Sequence, residues 1–269
     1  MSGPRPGPAR VLAIAGSDSG GGAGIQADIK TITALGGYAA TAVTAVTVQN
    51  TLGVAAVHPV PPDIVAAQIA AVLDDIGADA IKIGMLGDAA VIDAVAGALT
   101  EKAVGIPLVL DPVMVAKGGA SLLADSAMDA LRRLLPLASV ITPNAPELAA
   151  LTGMAVSDQE SALMAAARLR ESGASAVLAK GGHLPGDPVV DLLLSEAGPV
   201  RLNAARLDTR HTHGTGCTLA SALATGLAQG LSLADAARRA QGYVHEAIRR
   251  APGFGAGHGP LDHGFPCRD

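Results

Sequence analysis

Short apolar strands alternate with amphipathic helices along the chain, and this alternation restricts the fold more than any other feature of the sequence. Apolar runs predict strands at residues 11–15, 39–48, 80–84, 108–111, 140–142 and 176–179. Helical spacing predicts helices at residues 25–35, 64–75, 89–99, 126–135, 160–171, 218–228 and 233–249. Two further strands, 189–194 and 200–207, are expected near a sheet edge. This alternation predicts an α/β fold, with a mostly parallel central sheet covered by helices on both faces.

The composition limits what the core and the surface can do. Apolar residues make up 49% of the chain, yet it has no Trp, two Tyr and two Phe, so the core must consist of Ala, Val, Leu and Ile. Few rings are left for stacking a base. A net charge of −5 without a basic run argues against nucleic acid or an anionic membrane as a partner. No apolar run is long enough to span a bilayer.

The domain organisation is expected to be simple. Residues 1–9 are predicted to form a disordered leader, 10–264 a single domain and 265–269 a tail, because no repeat or linker interrupts the alternation. The leader lacks the apolar centre of a signal peptide. Two cysteines, Cys217 and Cys267, do not make a disulfide framework. We therefore expect a cytoplasmic location.

The segment 212–218 is the most informative for function. Two glycines, Gly214 and Gly216, precede an apolar helical pattern, so backbone N–H groups can converge at the start of a helix, where its positive dipole end lies. Such an N-terminus binds anions, and the same field is expected to favour the thiolate of Cys217. An ionisable group inside an anion site suggests phosphoryl transfer. The alternative is a glycine-rich turn that caps a core helix.

A second glycine-rich loop, residues 16–24, follows the first strand directly. Its glycines permit close approach of a ligand to the backbone, but their spacing is that of neither a dinucleotide fingerprint nor a P-loop. Asp28 lies one helical turn beyond the loop, where its carboxylate can face the same cavity. The alternative for Asp28 is a solvated helix carboxylate.

Polar residues also follow other strands of the predicted sheet. Gln49 ends a β-branched strand, and its amide offers donors and an acceptor that suit the edge of a nitrogen heterocycle. A simple turn made by Asn50 is the alternative there. Lys180 stands at a strand end before two glycines and can meet phosphate oxygens, unless it is an exposed lysine in a turn.

Three oxygen-bearing side chains are predicted to lie at the same sheet edge. Asp111 ends one strand, and Asn144 and Glu147 follow the next, three residues apart at a helix start. Such carboxylates and amides can hold hydrated Mg²⁺ through water. The alternative for Asn144 and Glu147 is a capping box, and both roles can coexist.

Taken together, these motifs resemble those of the hydroxymethylpyrimidine/phosphomethylpyrimidine kinases of thiamine biosynthesis, which belong to the ribokinase-like superfamily. The matching segments occur in family order and cover the chain from about residue 11 to 263. They are residues 15–28, 49–51, 82–86, 111–117, 142–144, 180–183, 212–218 and 257–261.

The resemblance implies a three-layer ribokinase-like fold. It also implies phosphorylation, dependent on ATP and Mg²⁺, of the hydroxymethyl group of 4-amino-5-hydroxymethyl-2-methylpyrimidine and then of the monophosphate. The partners would be the pyrimidine and ATP, with no nucleic acid and no membrane. Relatives are often dimers, so the resemblance also raises the expectation of a homodimer.

The resemblance also implies roles for individual residues. Asp28 and Gln49 would hydrogen-bond the aminopyrimidine ring, and Gly16, Met85 and Val113 would line its pocket. The catalytic group would be Gly214, Thr215, Gly216, Cys217 and Lys180, with Cys217 positioning the hydroxyl and accepting its proton late. The nucleotide would meet Asp111, Asn144, Glu147, Lys180, Gly182, His183, Thr212, Gly214 and Gly216. Glu147 and Asp111 would hold Mg²⁺ through water.

The chain departs from the family pattern on the nucleotide side. Arg210 and His211 stand where Lys-Asn is common, and Gln241 stands where a lysine is common. Two alternatives remain besides the pyrimidine kinase, and the departures bear on the second. One is a pyridoxal or pyridoxine kinase, since the rings are similar in size, and the other is a pyrimidine-binding protein without turnover.

Overall fold

The computed structural model describes residues 7–114 and 127–268. In this part of the chain the strands are β1 (Arg10–Asp18), β2 (Tyr38–Asn50), β3 (Gly53–Pro59), β4 (Ala80–Ile83), β5 (Leu108–Leu110), β6 (Val140–Ile141), β7 (Val177–Ala179), β8 (Val189–Ser195) and β9 (Gly198–Ala204). The helices are α1 (Gly24–Ala34), α2 (Pro62–Asp75), α3 (Ala89–Lys102), α4 (Met128–Leu134), α5 (Ala145–Thr152), α6 (Gln159–Glu171), α7 (Thr215–Ala228) and α8 (Leu233–Arg249).

The described strands form one sheet in the order β3-β2-β1-β4-β5-β6-β7-β8-β9. The six strands from β2 to β7 are parallel to their neighbours, so their carboxyl ends meet at one edge. At the two sides of the sheet, β3 and the β8–β9 pair run antiparallel. The loops that leave the parallel strands therefore converge where ligands bind in such sheets.

Helices cover both faces of the sheet, because the central strands are apolar on both sides. Leu12 and Ile81 belong to a core shared with α2, α3, α4, α5 and α6. Their chain neighbours Val11 and Ala80 belong to a second core with α1, α7 and α8. Successive residues of a strand point to opposite faces, which explains why each strand supplies both cores. The result is a three-layer arrangement of helices, sheet and helices.

This architecture confirms the predicted fold class. The expected strand pair lies at the sheet edge as β8 and β9, and the predicted helices are present with small shifts of their ends. Helix α7 begins at Thr215 rather than at 218, which places Cys217 in its first turn.

Four features differ from the prediction. Strand β1 continues to Asp18, into the segment predicted as a loop. Strand β2 continues to Asn50, and a further strand, β3, returns antiparallel beside it. Most residues of β3 are exposed, so no buried apolar run in the sequence marks this strand. Beyond the expected helix start at 144–147, a full helix, α5, runs to Thr152. Several predictions fall outside the described residues: most of the leader (1–6), motif residues 115–117, the start of the helix at 126 and the last tail residue, 269.

The tail is partly ordered. A 3-10 turn at Phe265–Cys267 packs against α8, with the Phe265 ring 5.3 Å from that of Tyr243 and beneath the guanidinium of Arg250. Within residues 7–114 and 127–268, no helix is both long and apolar enough to cross a membrane.

Candidate active site

The first turn of α7 opens at the sheet edge without a side-chain cap. Gly214, the residue before the helix, has φ +84, and a Cβ there would overlap the carbonyl oxygen of Gly22. Only glycine permits this left-handed conformation and this approach to the glycine-rich loop. The Thr215 amide makes one long bond, to the Thr212 carbonyl at 3.4 Å, and the start of α7, at Thr215, Gly216 and Cys217, is the kind of N-terminus that binds anions.

Lys180 and Asp111 lie directly against this first turn. A Cβ on Gly216 would be 3.2 Å from Lys180 Nζ and 3.4 Å from Asp111 Oδ2. Lys180 Nζ donates to Asp111 Oδ1 at 2.8 Å and lies 3.6 Å from Glu147 Oε2. The fold thus brings the ends of β5 and β7 together with the starts of α5 and α7, as the sequence predicted for this edge.

Two neighbouring carboxylates keep Lys180 positively charged. Burial alone would lower the pKa of Lys180, but the carboxylates of Asp111 and Glu147 outweigh burial and raise the pKa above its usual range. Burial raises the pKa of Glu147, and Lys180 opposes that shift. Asp111 also accepts from the Thr142 hydroxyl at 3.1 Å. Lys180 is therefore a fixed cation. Its side chain is 13% exposed, so a ligand in the site can reach it.

Asn144 and Glu147 form the capping box that the sequence left open as an alternative. Asn144 Oδ1 accepts from the Glu147 amide at 2.9 Å, and Glu147 Oε2 accepts from the Asn144 amide at 2.8 Å. The box fixes Glu147 beside Lys180. Contact of Asn144 with a nucleotide stays a prediction.

The described residues contain no group of three or more His, Cys, Asp or Glu side chains that could hold a metal ion among themselves. Magnesium ions in phosphoryl-transfer sites are held by one or two carboxylates, with waters and substrate phosphates completing the shell. Asp111 and Glu147 both lie within reach of the Lys180 ammonium, so two oxygen donors face one small region. This donor chemistry fits a water-mediated Mg²⁺.

The predicted nucleotide residues Gly182, His183 and Thr212 flank this region. Gly182 and His183 are exposed in a 3-10 turn, Gly181–His183, directly after Lys180. The Gly182 carbonyl accepts from Arg206 at 3.3 Å. The Thr212 carbonyl accepts from the Thr215 hydroxyl at 2.8 Å and so steadies the start of α7.

Gln241 reaches the nucleotide-side loop through Asp191. Its Nε2 donates to Asp191 Oδ2 at 3.1 Å and to the Leu202 carbonyl at 2.9 Å, while Asp191 Oδ1 accepts from the Gly181 amide at 2.8 Å. At position 241, a neutral side-chain amide therefore positions Asp191, in place of the lysine that is common in the family pattern. The other departure, His211, packs its imidazole against Gly259, where a Cβ would overlap Nδ1.

Four residues are predicted to line the ring pocket, and two of them, Gly16 and Met85, lie against each other. Gly16 ends the buried part of β1, and a Cβ there would lie 3.1 Å from Met85 Sδ. Gln49 is half-buried, with Oε1 3.2 Å from the Thr47 hydroxyl and Nε2 3.4 Å from His213 Nε2. Asn50 forms the turn that was the alternative there, since its Oδ1 accepts from the Leu52 amide. Val113 is half-buried after β5, its amide bonded to the Asp111 carbonyl at 2.8 Å.

Asp28 is not a solvated carboxylate, contrary to that alternative. It has no exposed surface and pairs with Lys82 Nζ at 2.8 and 2.9 Å, and the Ser221 hydroxyl donates to Oδ1 at 2.6 Å. Burial alone would lower the pKa of Lys82, but Asp28 outweighs it and raises the pKa above the usual range. The triad joins α1, β4 and α7 beneath the site. The geometry thus engages Asp28 with protein groups rather than presenting it to a ring.

Two further site residues were missed by sequence reasoning, Asp18 and His213. The Asp18 carboxylate accepts from the amides of Gly20, Gly22 and Ala23 at 2.8, 3.0 and 2.8 Å, and lies 2.8 Å from His213 Nε2. Asp18 thereby folds the glycine-rich loop and ties it to the segment before α7. The one signal was an aspartate within a glycine run.

The expected stabilisation of the Cys217 thiolate is wrong. Burial raises the pKa of Cys217 to about 11, although the charge of Lys82 opposes the shift. The thiol is half-buried and lies among the carboxylates Asp28 and Asp111 as well as Lys82. Desolvation therefore outweighs the charge of Lys82 and the hydrogen bond from the Gly24 amide, and Cys217 is a neutral thiol at neutral pH.

Comparison with known proteins agrees with this geometry. The sequence profile of the phosphomethylpyrimidine kinase family matches residues 18–262. The chain belongs to this family. A hydroxymethylpyrimidine/phosphomethylpyrimidine kinase of Streptomyces coelicolor is 51% identical over 259 residues, covering 96% of this chain and 95% of that protein. These matches confirm the resemblance and the prediction of a kinase.

A second relative is larger. The thiamine biosynthesis bifunctional protein ThiED of Geobacter sulfurreducens is 52% identical over 260 residues, which cover 96% of this chain. The chain spans about half (53%) of that protein's length.

Solved structures of kinases share the fold. A pyridoxal kinase of Bacillus subtilis in complex with ADP superimposes with a TM-score of 0.88 at 37% identity, covering 95% of this chain and 97% of that chain. A phosphomethylpyrimidine kinase of Clostridium difficile gives a TM-score of 0.79 at 39% identity, covering 89% and 99%. The predicted ribokinase-like fold is thereby confirmed.

Proposed function

We propose that this kinase uses ATP to phosphorylate 4-amino-5-hydroxymethyl-2-methylpyrimidine and then its monophosphate, as a step in the formation of thiamine diphosphate. The observation that carries the proposal is the position of the α7 N-terminus. Lys180 and Asp111 lie against Gly216 in its first turn. Gln49 lies beside His213, the residue before Gly214, and Met85 lies against Gly16. A phosphate held at the amides of α7 would lie between a cation and an apolar ring pocket.

The chemistry is mostly electrostatic. Phosphoryl transfer through a loose transition state needs positioning and charge stabilisation more than a strong base. The amides of Gly214, Thr215, Gly216 and Cys217 stabilise the transferring group, and Lys180 adds a fixed positive charge beside them. Magnesium would neutralise part of the phosphate charge, with Asp111 and Glu147 holding its waters.

Cys217 has a modest role in this proposal. A thiol with a pKa of about 11 is a poor general base at neutral pH. It positions the substrate hydroxyl, and the hydroxyl proton passes to an oxygen of the transferring phosphoryl group when the bond to phosphorus has largely formed. The nearby amides therefore contribute more than the thiol does.

Gln49 is the polar ligand of the ring. Its carboxamide can donate to a ring nitrogen and accept from the exocyclic amine, while Gly16, Met85 and Val113 supply apolar walls. Asp28 acts beneath this pocket through its pair with Lys82.

A second candidate substrate is pyridoxal, because a pyridoxal kinase of known structure shares 37% identity and the whole fold. The third candidate, a binding protein without turnover, requires a defective nucleotide side. Here Gln241 and Asp191 still hold the Gly181 amide in place, which supports turnover.

The deciding experiment measures ADP release by the purified protein with Mg²⁺ and ATP. Hydroxymethylpyrimidine, its monophosphate and pyridoxal are compared side by side. We expect turnover of both pyrimidines, with a higher kcat/KM than for pyridoxal. Binding of the pyrimidines without turnover would contradict the kinase proposal, and a preference for pyridoxal would change the substrate.

A variant pair tests the ring ligand. Gln49→Ala should weaken pyrimidine binding about tenfold, since one good hydrogen-bonding group is lost, and should leave ADP binding unchanged. Asn50→Ala is the control, because Asn50 is exposed and its side chain bonds only within a turn in the described contacts. Equal losses for both ligands would refute the role of Gln49.

Two expectations lie outside this test. A cytoplasmic location, expected from the cysteine usage, and a homodimer, expected from the resemblance, remain proposals. Light scattering of the purified protein would give the oligomeric state.

A further inference from the structure

The side-chain amide of Gln49 makes only weak contacts within the protein. The Thr47 hydroxyl has one hydrogen and faces two acceptors, the Ser17 carbonyl at 2.8 Å and Gln49 Oε1 at 3.2 Å. The shorter bond takes the hydrogen. Gln49 Oε1 is therefore left with accepting capacity for a ligand.

The other end of the amide faces His213. Gln49 Nε2 and His213 Nε2 are 3.4 Å apart, so they form a bond only if the ring nitrogen carries a lone pair. His213 Nε2 is also 2.8 Å from Asp18 Oδ2. The state of that one nitrogen decides whether the Gln49 hydrogens are used inside the protein.

Asp18 determines this state. Its carboxylate is buried, yet it accepts from three backbone amides as well as facing His213. Burial alone would raise the pKa of Asp18, but the bonds from His213 and the loop amides outweigh it and lower the pKa. An ionised carboxylate only accepts, so the hydrogen must reside on His213 Nε2.

We propose that Asp18 is a positioning residue for substrate selection. By keeping the hydrogen on His213 Nε2, it prevents the histidine from accepting a bond from Gln49. Both ends of the Gln49 amide then stay available for the N=C–NH₂ edge of an aminopyrimidine. The inference rests on the proposed function, since it assumes that Gln49 meets the ring.

The arrangement favours one class of ring over another. An aminopyrimidine offers a ring-nitrogen acceptor beside an amine donor, which matches a free carboxamide atom for atom. Pyridoxal has no exocyclic amine beside its ring nitrogen, so it gains less binding affinity from the oxygen and nitrogen of the Gln49 carboxamide. Loss of the Asp18 carboxylate should therefore harm pyrimidine binding more than pyridoxal binding.

The first experiment reads the proton directly, without a ligand. Nitrogen-15 NMR of the full chain at pH 8 distinguishes the two neutral histidine tautomers, and His213→Leu identifies the signal. We expect the hydrogen on Nε2 in the unsubstituted protein and in Asp18→Asn, which keeps an acceptor oxygen. We expect it to move to Nδ1 in part or wholly in Asp18→Ala. A hydrogen on Nδ1 in the unsubstituted protein would overturn the proposal, whatever the enzyme phosphorylates.

The second experiment measures affinity for hydroxymethylpyrimidine by calorimetry. Asp18→Ala should bind it about tenfold more weakly, with Asp18→Asn close to the unsubstituted protein and ADP binding equal in all variants. Adding His213→Leu to Asp18→Ala should restore most of the affinity, because no ring nitrogen remains to capture Gln49.

Two results would contradict the proposal. Failure of the double variant to recover would show that Asp18 acts only by folding the glycine-rich loop. A tenfold loss in His213→Leu alone would show that the histidine orients Gln49 by a direct bond. Absence of pyrimidine turnover in the unsubstituted protein would instead refute the proposed function, and the NMR result would still decide the position of the hydrogen.

Discussion

Lys82 and Asp28 form an ion pair at 2.8 Å with no exposed surface on either side chain. Removing one partner leaves a buried charge without compensation, which costs about 3–5 kcal/mol. We expect Asp28→Asn and Lys82→Met each to lower the free energy of unfolding by about that amount, measured by urea denaturation.

The double variant separates a structural role from ring binding. Asp28→Leu with Lys82→Met should destabilise less than either single change, because no charge is left buried. Lys102→Met, which breaks a solvent-exposed pair with Asp74, is the control and should change stability little. If Asp28→Asn keeps near-normal stability but loses much of its affinity for the pyrimidine, Asp28 contacts the ring, as the resemblance implied.

Gly216 should matter for rate rather than for folding. Alanine is the better helix former by about 1 kcal/mol, so Gly216→Ala should not destabilise the protein greatly. Its Cβ would lie 3.2 Å from Lys180 Nζ and push that charge away, and kcat should fall about tenfold or more.

The matched control is Gly97→Ala in α3, where no atom lies within 4 Å of the added Cβ. It should raise the melting temperature slightly and leave kcat unchanged. Equal kcat values for the two variants would mean that Lys180 does not have to lie against the first turn of α7.

The two cysteines should differ in reactivity. Alkylation requires the thiolate, and burial raises the pKa of Cys217 to about 11, so its reaction with iodoacetamide should be slow at pH 7 and accelerate up to about pH 11. Cys267 is exposed and should react first. Mass spectrometry of peptides gives both rates. Faster reaction of Cys217 at pH 7 would restore the thiolate prediction, and an unchanged kcat in Cys217→Ala would show that the amides act without the thiol.

His263 should make stability depend on pH. Its ring is buried beside the Thr218 hydroxyl at 3.0 Å, and burial lowers the pKa from 6.5 to about 4. The unfolded chain therefore binds a proton that the folded one does not between these values. Stability should fall as the pH drops from 6.5 to 4, by on the order of 3 kcal/mol from this group, and then level off.

The measurement compares urea midpoints at pH 7 and pH 4 for the unsubstituted protein and His263→Gln. The glutamine variant cannot take up the proton, so its midpoint should fall less over the same range. Identical pH dependence in both proteins would remove His263 as the cause.

The sequence predicted the layers of the fold well, because strands such as β4 and β5 are short, apolar and buried on both faces. It missed β3, whose residues are exposed and carry no buried pattern. For the site, the sequence predicted that Lys180, Asp111 and Glu147 lie close together, because the ends of neighbouring parallel strands are adjacent.

Pairs formed between distant positions were not predictable in this way. Asp28 and Lys82 are 54 residues apart, and Asp18 and His213 are 195 apart. The lysine inside the apolar run of β4 was a usable signal, because a buried ammonium needs a counter-charge. Nothing in the spacing said which aspartate supplies it. The prediction of a Cys217 thiolate failed because burial, which the sequence does not show, raises the pKa more than the charge of Lys82 lowers it.

The backbone contact between Gly22 and Gly214 has a consequence for evolution and for engineering. Because no side chain fits between these two positions, the glycine-rich loop and the first turn of α7 form one shared wall. Reshaping the pocket for a larger ring by moving the loop would therefore also move the amides that we propose to bind phosphate. New acceptor specificities are more accessible at Met85 and Val113, which are predicted to line the ring pocket with side chains rather than with this shared backbone.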